Sequence, residues 1–373
     1  MRKNLFTSLL PNDDNWLEDK VTSLIHAFPI EQWWRLFIDG YRQYSFSDKK
    51  FGNESVRRDS FACESFEITE PGYITSCLFA FLTLLENISK PLTLNLIQET
   101  HANATKRIDC FGKKNPGEFR GTNSSVFIRL DTHTIDPKFA SNYTTEGIRE
   151  LEKDSTELGL TCFYDRRDNT PLAIFSPEKT TDEMNNLVNN IIQTYEETMR
   201  VDKTNIEKIR IIVQLIQKFE RLHPFKDGNC RTFCMLILNR ELIKHNLDPV
   251  IMYDPNCFDG FSMDQVVNEI LHGQKRFRQV RDSSGKSEIC MLDFQALSEK
   301  NGGRDCFVGP NISTILQITD AGELNCVMKH IIEAVERLPL SSKVRAILST
   351  NLTFFQFHRE NDNSDTSNCC VLQ

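Results

Sequence analysis

Apolar residues run almost without a break from Tyr73 to Asn87, and a second periodic stretch follows Pro91, from Leu92 to His101. Proline disfavours helix at the residue before it, so this pattern predicts two buried helices joined at Pro91. Between 115 and 130 the period changes. The string NPGEFRGTNSSVFIRL holds a Pro-Gly turn, a short extended piece, a Gly-Thr-Asn-Ser turn and a β-prone Val-Phe-Ile, which together predict a hairpin. Residues 131–180 are polar and read as irregular, with a loop over Asp165 to Pro171. Helical spacing returns at Asp182. Ile206, Ile209, Val213, Ile216 and Phe219 then recur every three to four residues, predicting one buried face of a helix that leads into His223. A further helix is expected after Gly228, carrying Phe233, Leu236, Ile237 and Leu242 and stopping before Pro249.

The two ends are set apart from this centre. Trp16, Leu17, Val21, Leu24 and Ile25, followed by Trp33, Trp34, Leu36 and Phe37, give an aromatic-rich helical pattern, and the charged SDKKFGNESVRRDS after it reads as loop. Residues 286–305 read as a linker, and Cys326–Leu338 and Val344–Phe357 as two helices separated by Pro339. The expected organisation is mainly α-helical: an N-terminal helical extension (1–65), a central catalytic unit (66–285), a C-terminal helical region (286–360) and a polar flexible tail (361–373).

Composition narrows the function. With 44 Lys+Arg against 52 Asp+Glu, the net charge is −8. A nucleic-acid partner, which needs a basic face, is therefore not expected. The 12 cysteines show no paired C-x-x-C spacing, so neither a disulfide framework nor a zinc site is expected. Cys230 and Cys234 stand four residues apart but read as small helix-packing residues. The first residues are broken by Pro11, Asn12, Asp13 and Asp14 before any secretory core can form, and the longest apolar run, Cys77–Leu85, falls short of the roughly 18 residues a membrane span needs. A reducing, cytosolic setting follows.

The chemistry is concentrated in Leu222-His-Pro-Phe-Lys-Asp-Gly-Asn-Cys-Arg231. It reads as an apolar helix, a tight loop and the start of a new helix. A helix N-terminus offers unpaired N–H groups and partial positive charge, and Gly228 permits close backbone approach, so the loop can cradle a phosphate. Arg231 adds a bidentate partner for phosphate oxygens. Asp227 would repel a bare phosphate, but it could hold a magnesium ion that bridges phosphates. His223 has the pKa range to take a proton from a hydroxyl. Base, metal carboxylate and phosphate nest within nine residues describe phosphoryl or nucleotidyl transfer.

The same string resembles the Fic family signature His-Pro-Phe-x-Asp/Glu-Gly-Asn-Gly/Lys-Arg, matching it at seven specified positions and departing at Cys230. Upstream, Pro116-Gly117-Glu118-Phe119-Arg120 with Val126-Phe127-Ile128 is similar to the family's β-hairpin flap, and the helix with Leu96, Ile97 and His101 to the helix ahead of it. The resemblance implies a helical Fic fold with a short flap over about 65–285. It implies a protein AMPylase in which His223 deprotonates a target Ser, Thr or Tyr, Asp227 holds Mg2+, and Phe225, Gly228, Asn229 and Arg231 serve the nucleotide, with Phe225 packed beneath the loop. It further implies that Gly117, Phe119, Arg120, Val126 and Ile128 dock the target protein by strand addition. Two positions depart from the family pattern. Cys230 replaces Gly or Lys, and Cys234 stands where many members carry a second arginine for the terminal phosphate, which leaves UTP or CDP-choline open beside ATP as the donor. A non-catalytic nucleotide- or partner-binding module is the alternative to an enzyme.

The last four residues, Cys370-Val-Leu-Gln, fit a C-a-a-X prenylation signal, and Cys369 could take a second lipid by palmitoylation. Expected partners are therefore a protein substrate, a host prenyltransferase and, through the lipid, the cytoplasmic face of a host membrane. An effector of a bacterium would reconcile the two motifs.

Overall fold

Two Thr-x-x-Glu strings set the centre of the fold. In each, the threonine hydroxyl accepts the backbone N–H of the glutamate and the glutamate accepts the N–H of the threonine, a reciprocal cap that starts a helix. Thr180 and Glu183 start α4 (Thr181–Met199), and Thr204 and Glu207 start α5 (Asn205–Leu222). These labels belong to a computed structural model that describes residues 28, 30–39, 70, 73–105, 108, 115–122, 124–130, 143–165 and 171–283. The expected C-terminal region, the tail with Cys369 and Cys370, and most of the N-terminal extension lie outside these residues.

The order begins with a 3-10 helix, Ile30–Leu36, whose Trp33, Trp34 and Leu36 are buried. Then come α1 (Tyr73–Glu86), α2 (Leu94–Thr105), β1 (Val126–Arg129), α3 (Thr145–Leu158), β2 (Thr161–Tyr164) and β3 (Pro171–Ser176), ahead of α4 and α5. After the catalytic-type loop, a π-helical segment, Arg231–Ile237, continues directly into α6 (Leu238–Lys244), and α7 (Cys257–Gly260) and α8 (Met263–Ser283) close the fold. α5 is the hub. It packs against α3, α4, α6, α7, α8, the π-helical segment and β3. Its buried stripe starts at Ile209 and runs through Val213, Ile216 and Phe219. Ile206, which the spacing placed on the same face, is 45% exposed because it lies in the first turn, beyond the packed neighbours.

The two helices joined at Pro91 form as their periodicity predicts, with α1 and α2 packed together. The hairpin over 115–130 does not. Val126–Arg129 pairs instead with Pro171–Ser176, Ile128 opposite Ile174, and β3 pairs on its other side with β2, giving the antiparallel order β1-β3-β2. The extended piece around Arg120 sends its backbone N–H to the Pro224 carbonyl at 2.8 Å, so it joins the site loop and not a strand. Residues 131–180 are correspondingly less irregular than their polarity suggests. α3 is amphipathic, burying Ile148, Leu151 and Leu158, and it ends at Gly159 in the left-handed conformation. Among the described residues no helix is long and apolar enough to cross a membrane.

Candidate active site

Fold and site meet at the end of α5. His223 caps that helix in the left-handed conformation (φ 48°), its N–H still bonded to the Phe219 carbonyl at 3.0 Å. Left-handed backbone is uncommon outside glycine, and here it turns the chain out of the helix and into Pro224. The imidazole Nδ1 bonds to the Glu220 carbonyl. Because that carbonyl only accepts, Nδ1 carries the proton and Nε2 is left with its lone pair. About a fifth of the side chain (19%) remains open to solvent. Burial, reinforced by the Arg120 charge, pushes the imidazole pKa down to about 4, against the opposing pull of the Glu220 bond and the Asp227 charge. At neutral pH the group is an uncharged base.

Arg120 holds this helix end in place. It is fully buried, and its guanidinium reaches five oxygens: the carbonyls of His223 (2.7 Å), Leu222 (3.1 Å), Ser124 (2.8 Å) and Pro177 (2.8 Å), and the Ser176 hydroxyl. A cation on the last carbonyls of a helix satisfies acceptors that have no partner within the helix and complements its dipole. Burial lowers the Arg120 pKa to about 10, so it stays charged at neutral pH. The Arg120 side chain, expected to dock a target, is enclosed and ties Ser124 and β3 to the end of α5. Phe119 is likewise buried, against Phe225 at 4.9 Å.

The loop after His223 closes on itself. Asn229 accepts the Phe225 N–H at 2.9 Å and donates back to the Phe225 carbonyl at 3.0 Å. Gly228 takes φ 73°, a conformation strained for other residues, and its N–H bonds to Asp227 Oδ1 at 2.7 Å. Helical bonding resumes with the Thr232 N–H on the Gly228 carbonyl, so the new helix starts at the loop, as the sequence implied. Asp227 and Lys226 are exposed. Phe225, expected among the nucleotide-contacting residues, is wholly buried in a stack of rings formed by His101, Phe225, Phe233 and Phe219, and Asn229 is spent on the loop itself. Both shape the loop from within.

Arg231 also sits deeper than expected. Its guanidinium bonds to Glu70 at 2.5 Å and to the Ala104 carbonyl at 3.3 Å, and lies over the Tyr73 ring at 4.1 Å. A phosphate could share this group only by drawing it from Glu70, whose side chain is 30% exposed.

One residue has a larger role than the sequence indicated. His101, on α2, accepts the Gly117 N–H at Nδ1 (2.8 Å), so its Nε2 is protonated and donates to the Asp227 carbonyl (2.9 Å). Its ring stacks on Phe225 with centroids 3.8 Å apart. Gly117 is needed for this approach: at φ 84° a Cβ there would come within 3.1 Å of Ala102 and the Gln98 carbonyl. His101 thus ties the backbone at Asp227 and the 115–120 segment to one ring, and burial keeps it neutral by lowering its pKa to about 4. The only signal in sequence was a histidine at the end of an apolar helix face. His101→Ala removes a buried ring with both its hydrogen bonds, to the Gly117 N–H and the Asp227 carbonyl, and should cost about 2 kcal/mol in urea unfolding. His101→Gln should recover part of that loss, and an unchanged midpoint in the alanine variant would dismiss the clasp.

Residues 91–239, which include α2, the sheet, α5 and the loop, match the Fic/DOC family. Over 346 residues the chain is 26% identical to the phosphocholine transferase AnkX of Legionella pneumophila subsp. pneumophila, a match that covers 82% of this chain and 34% of that protein. The chain thus spans about a third of the length of that relative.

Proposed function

Taking residues 91–239 as a Fic/DOC domain, we propose that this chain is a Fic-type transferase that moves a phosphate-linked group from a nucleotide to a Ser, Thr or Tyr hydroxyl of a target protein. The observation that carries this reading is the state of His223: Nδ1 is committed to the Glu220 carbonyl, Nε2 is the basic atom, and the phosphate nest begins at once beyond it. As donor we favour CDP-choline over ATP. Position 234, where the family resemblance implies a second arginine for a third phosphate, is a wholly buried thiol, and a relative is named for phosphocholine transfer.

In the reaction the target hydroxyl oxygen attacks the choline-bearing phosphorus as its proton passes to His223 Nε2. The bond from that phosphorus to the bridging oxygen of the diphosphate breaks, and CMP leaves. Loop N–H groups at the start of the new helix meet the charge on the phosphates. Asp227 suits magnesium, which attaches to proteins through one or two carboxylates and keeps its remaining places for phosphates and water. Bound there, the ion would neutralise diphosphate charge. The target would approach along β1, an edge strand in the order β1-β3-β2, where an extended segment can add to the sheet. Phe127 (60% exposed) and Phe163 (43% exposed) offer apolar contacts on the same sheet.

The test is to incubate the full chain with cell lysate and separately labelled CDP-choline, ATP and UTP, and to locate the label by mass spectrometry. Choline-derived label on a protein hydroxyl is the expected result. Adenylate label would move the reading to AMP transfer, and no label from any donor would remove the transferase. In the same assay Asp227→Ala should raise the magnesium concentration needed for half-maximal rate severalfold. An unchanged requirement would place the metal elsewhere.

A further inference from the structure

The last turn of α5 and the π-helical segment bring Glu220 onto the same side as Cys230 and Cys234. One carboxylate oxygen and two sulfurs lie within 4.8 Å of one another. The sequence supplied only the two thiols, one helical turn apart, and no third ligand close by in the chain. The fold supplies it. Cys234 Sγ is 3.5 Å from Glu220 Oε2. In a tetrahedral zinc site, with sulfur at about 2.3 Å and oxygen at about 2.0–2.1 Å, the two ligand atoms stand about 3.6 Å apart, so this pair already has the required spacing.

A second observation points the same way. Asp259, in α7, is 4% exposed, and its Oδ1 is buried without a hydrogen-bond partner. Its charge bears on Cys230 and Cys234 and it feels that of Glu220, although it is not one of the three groups whose ligand atoms lie within 4.8 Å of one another. Among the described residues, the charged groups that act on the two thiols are all acidic: Glu220, Asp259 and, for Cys230, Asp39. Arg221 faces Asp259, but it is engaged by Asp154 and by the Asp259 and Phe261 carbonyls. Four acidic groups packed together out of water, one with an orphaned oxygen, are costly as anions unless a cation joins them.

We propose that Glu220, Cys230 and Cys234 form a site for a thiophilic divalent cation of the zinc class, with the buried Asp259 carboxylate adding negative charge beside it. Two sulfurs with a carboxylate suit zinc and disfavour magnesium or calcium, which take oxygen donors. The site is distinct from Asp227, which is exposed on the loop. Binding displaces to solvent the two thiol protons and the proton that burial keeps on Glu220, whose pKa is raised to about 8, and joins the end of α5 to the π-helical segment. α5 and the π-helical segment flank the loop, and Glu220 lends its carbonyl to His223. The ion would therefore act on catalysis by position alone.

The experiment uses the full chain, incubated with zinc, dialysed against a weak chelator and assayed for metal by mass spectrometry. About one zinc per chain is expected. Cobalt(II) loaded in place of zinc should show a thiolate-to-metal charge-transfer band. Cys230→Ser/Cys234→Ser should lose both signals, Glu220→Gln should bind zinc at least roughly tenfold more weakly, and Cys369→Ser/Cys370→Ser should retain both. Should the double variant fail to fold, the wild type still decides: zinc should protect Cys230 and Cys234 from iodoacetamide in a peptide map, and chelation should expose them. Substoichiometric zinc without a cobalt band, an undiminished band in a folded Cys230→Ser/Cys234→Ser protein, or equal alkylation with and without zinc would each overturn the site.

Discussion

Replacing His223 by alanine should lower transfer by roughly 100-fold or more while leaving donor affinity nearly intact, because a general base acts on the proton in flight and not on the bound nucleotide. The local structure sharpens this expectation. His223 receives its tautomer from Glu220's backbone, so no side-chain substitution elsewhere can supply the Nε2 lone pair at that point. The pH profile gives an independent reading. The base works only when neutral, and its pKa is lowered from 6.5 to about 4, so the neutral form persists as pH falls from 7 toward 5. The acid limb should therefore lie near pH 4, not near 6.5. Wild-type turnover in His223→Ala would remove this residue from the role, and an acid limb at 6.5 would show an imidazole far more solvated than this one.

The second large effect should come from Arg120, which touches no reacting atom. Arg120→Leu keeps much of the buried volume but strips the guanidinium from four carbonyls and one hydroxyl. Each buried acceptor left unpaired costs about 1–3 kcal/mol. Partial collapse and entering water will relieve part of this, so a net loss of about 3 kcal/mol or more is expected, about 4 °C in melting temperature for a protein of this size. Arg120→Lys should recover only a fraction, because a single ammonium cannot span carbonyls on both sides of its site. The effect should reach kcat, since the His223 carbonyl is one of the five partners and its release frees the left-handed turn that aims the imidazole. A lysine variant equal to wild type in stability and turnover would reduce Arg120 to a charge.

These results bear on how far the chain could be read without coordinates. The helices of the centre are local products. Their apolar spacing and Pro91 suffice to place α1, α2, α5 and the helix after Gly228, because each signal acts within one or two turns; the two Thr-x-x-Glu caps are equally local, but the helices expected from the sequence do not rest on them. The loop from His223 to Arg231 is legible for the same reason: base, carboxylate, glycine and helix start lie within nine consecutive residues, so no tertiary information is needed to bring them together.

What only the tertiary structure decided is which of these side chains face a ligand and which face the protein. Arg231 carries a phosphate-binding fork in sequence, yet its charge is balanced by Glu70, and Arg120 in a flap-like string is wholly enclosed. A buried guanidinium must find acceptors, and those acceptors came from Leu222 and Pro177, about 50 to 100 residues away. The sheet shows the same limit. Val126–Arg129 is β-prone on its own, but a strand's partner is a long-range choice, and Pro171–Ser176 won it over the nearer Glu118–Arg120. His101 joins Gly117 to Asp227 across 126 positions, and Glu220 reaches Cys230 and Cys234 from the end of another helix. Periodicity fixes which side of a helix is apolar. Only packing in three dimensions determines which polar groups are brought out of water together, and the chemistry available to this protein depends on those pairings.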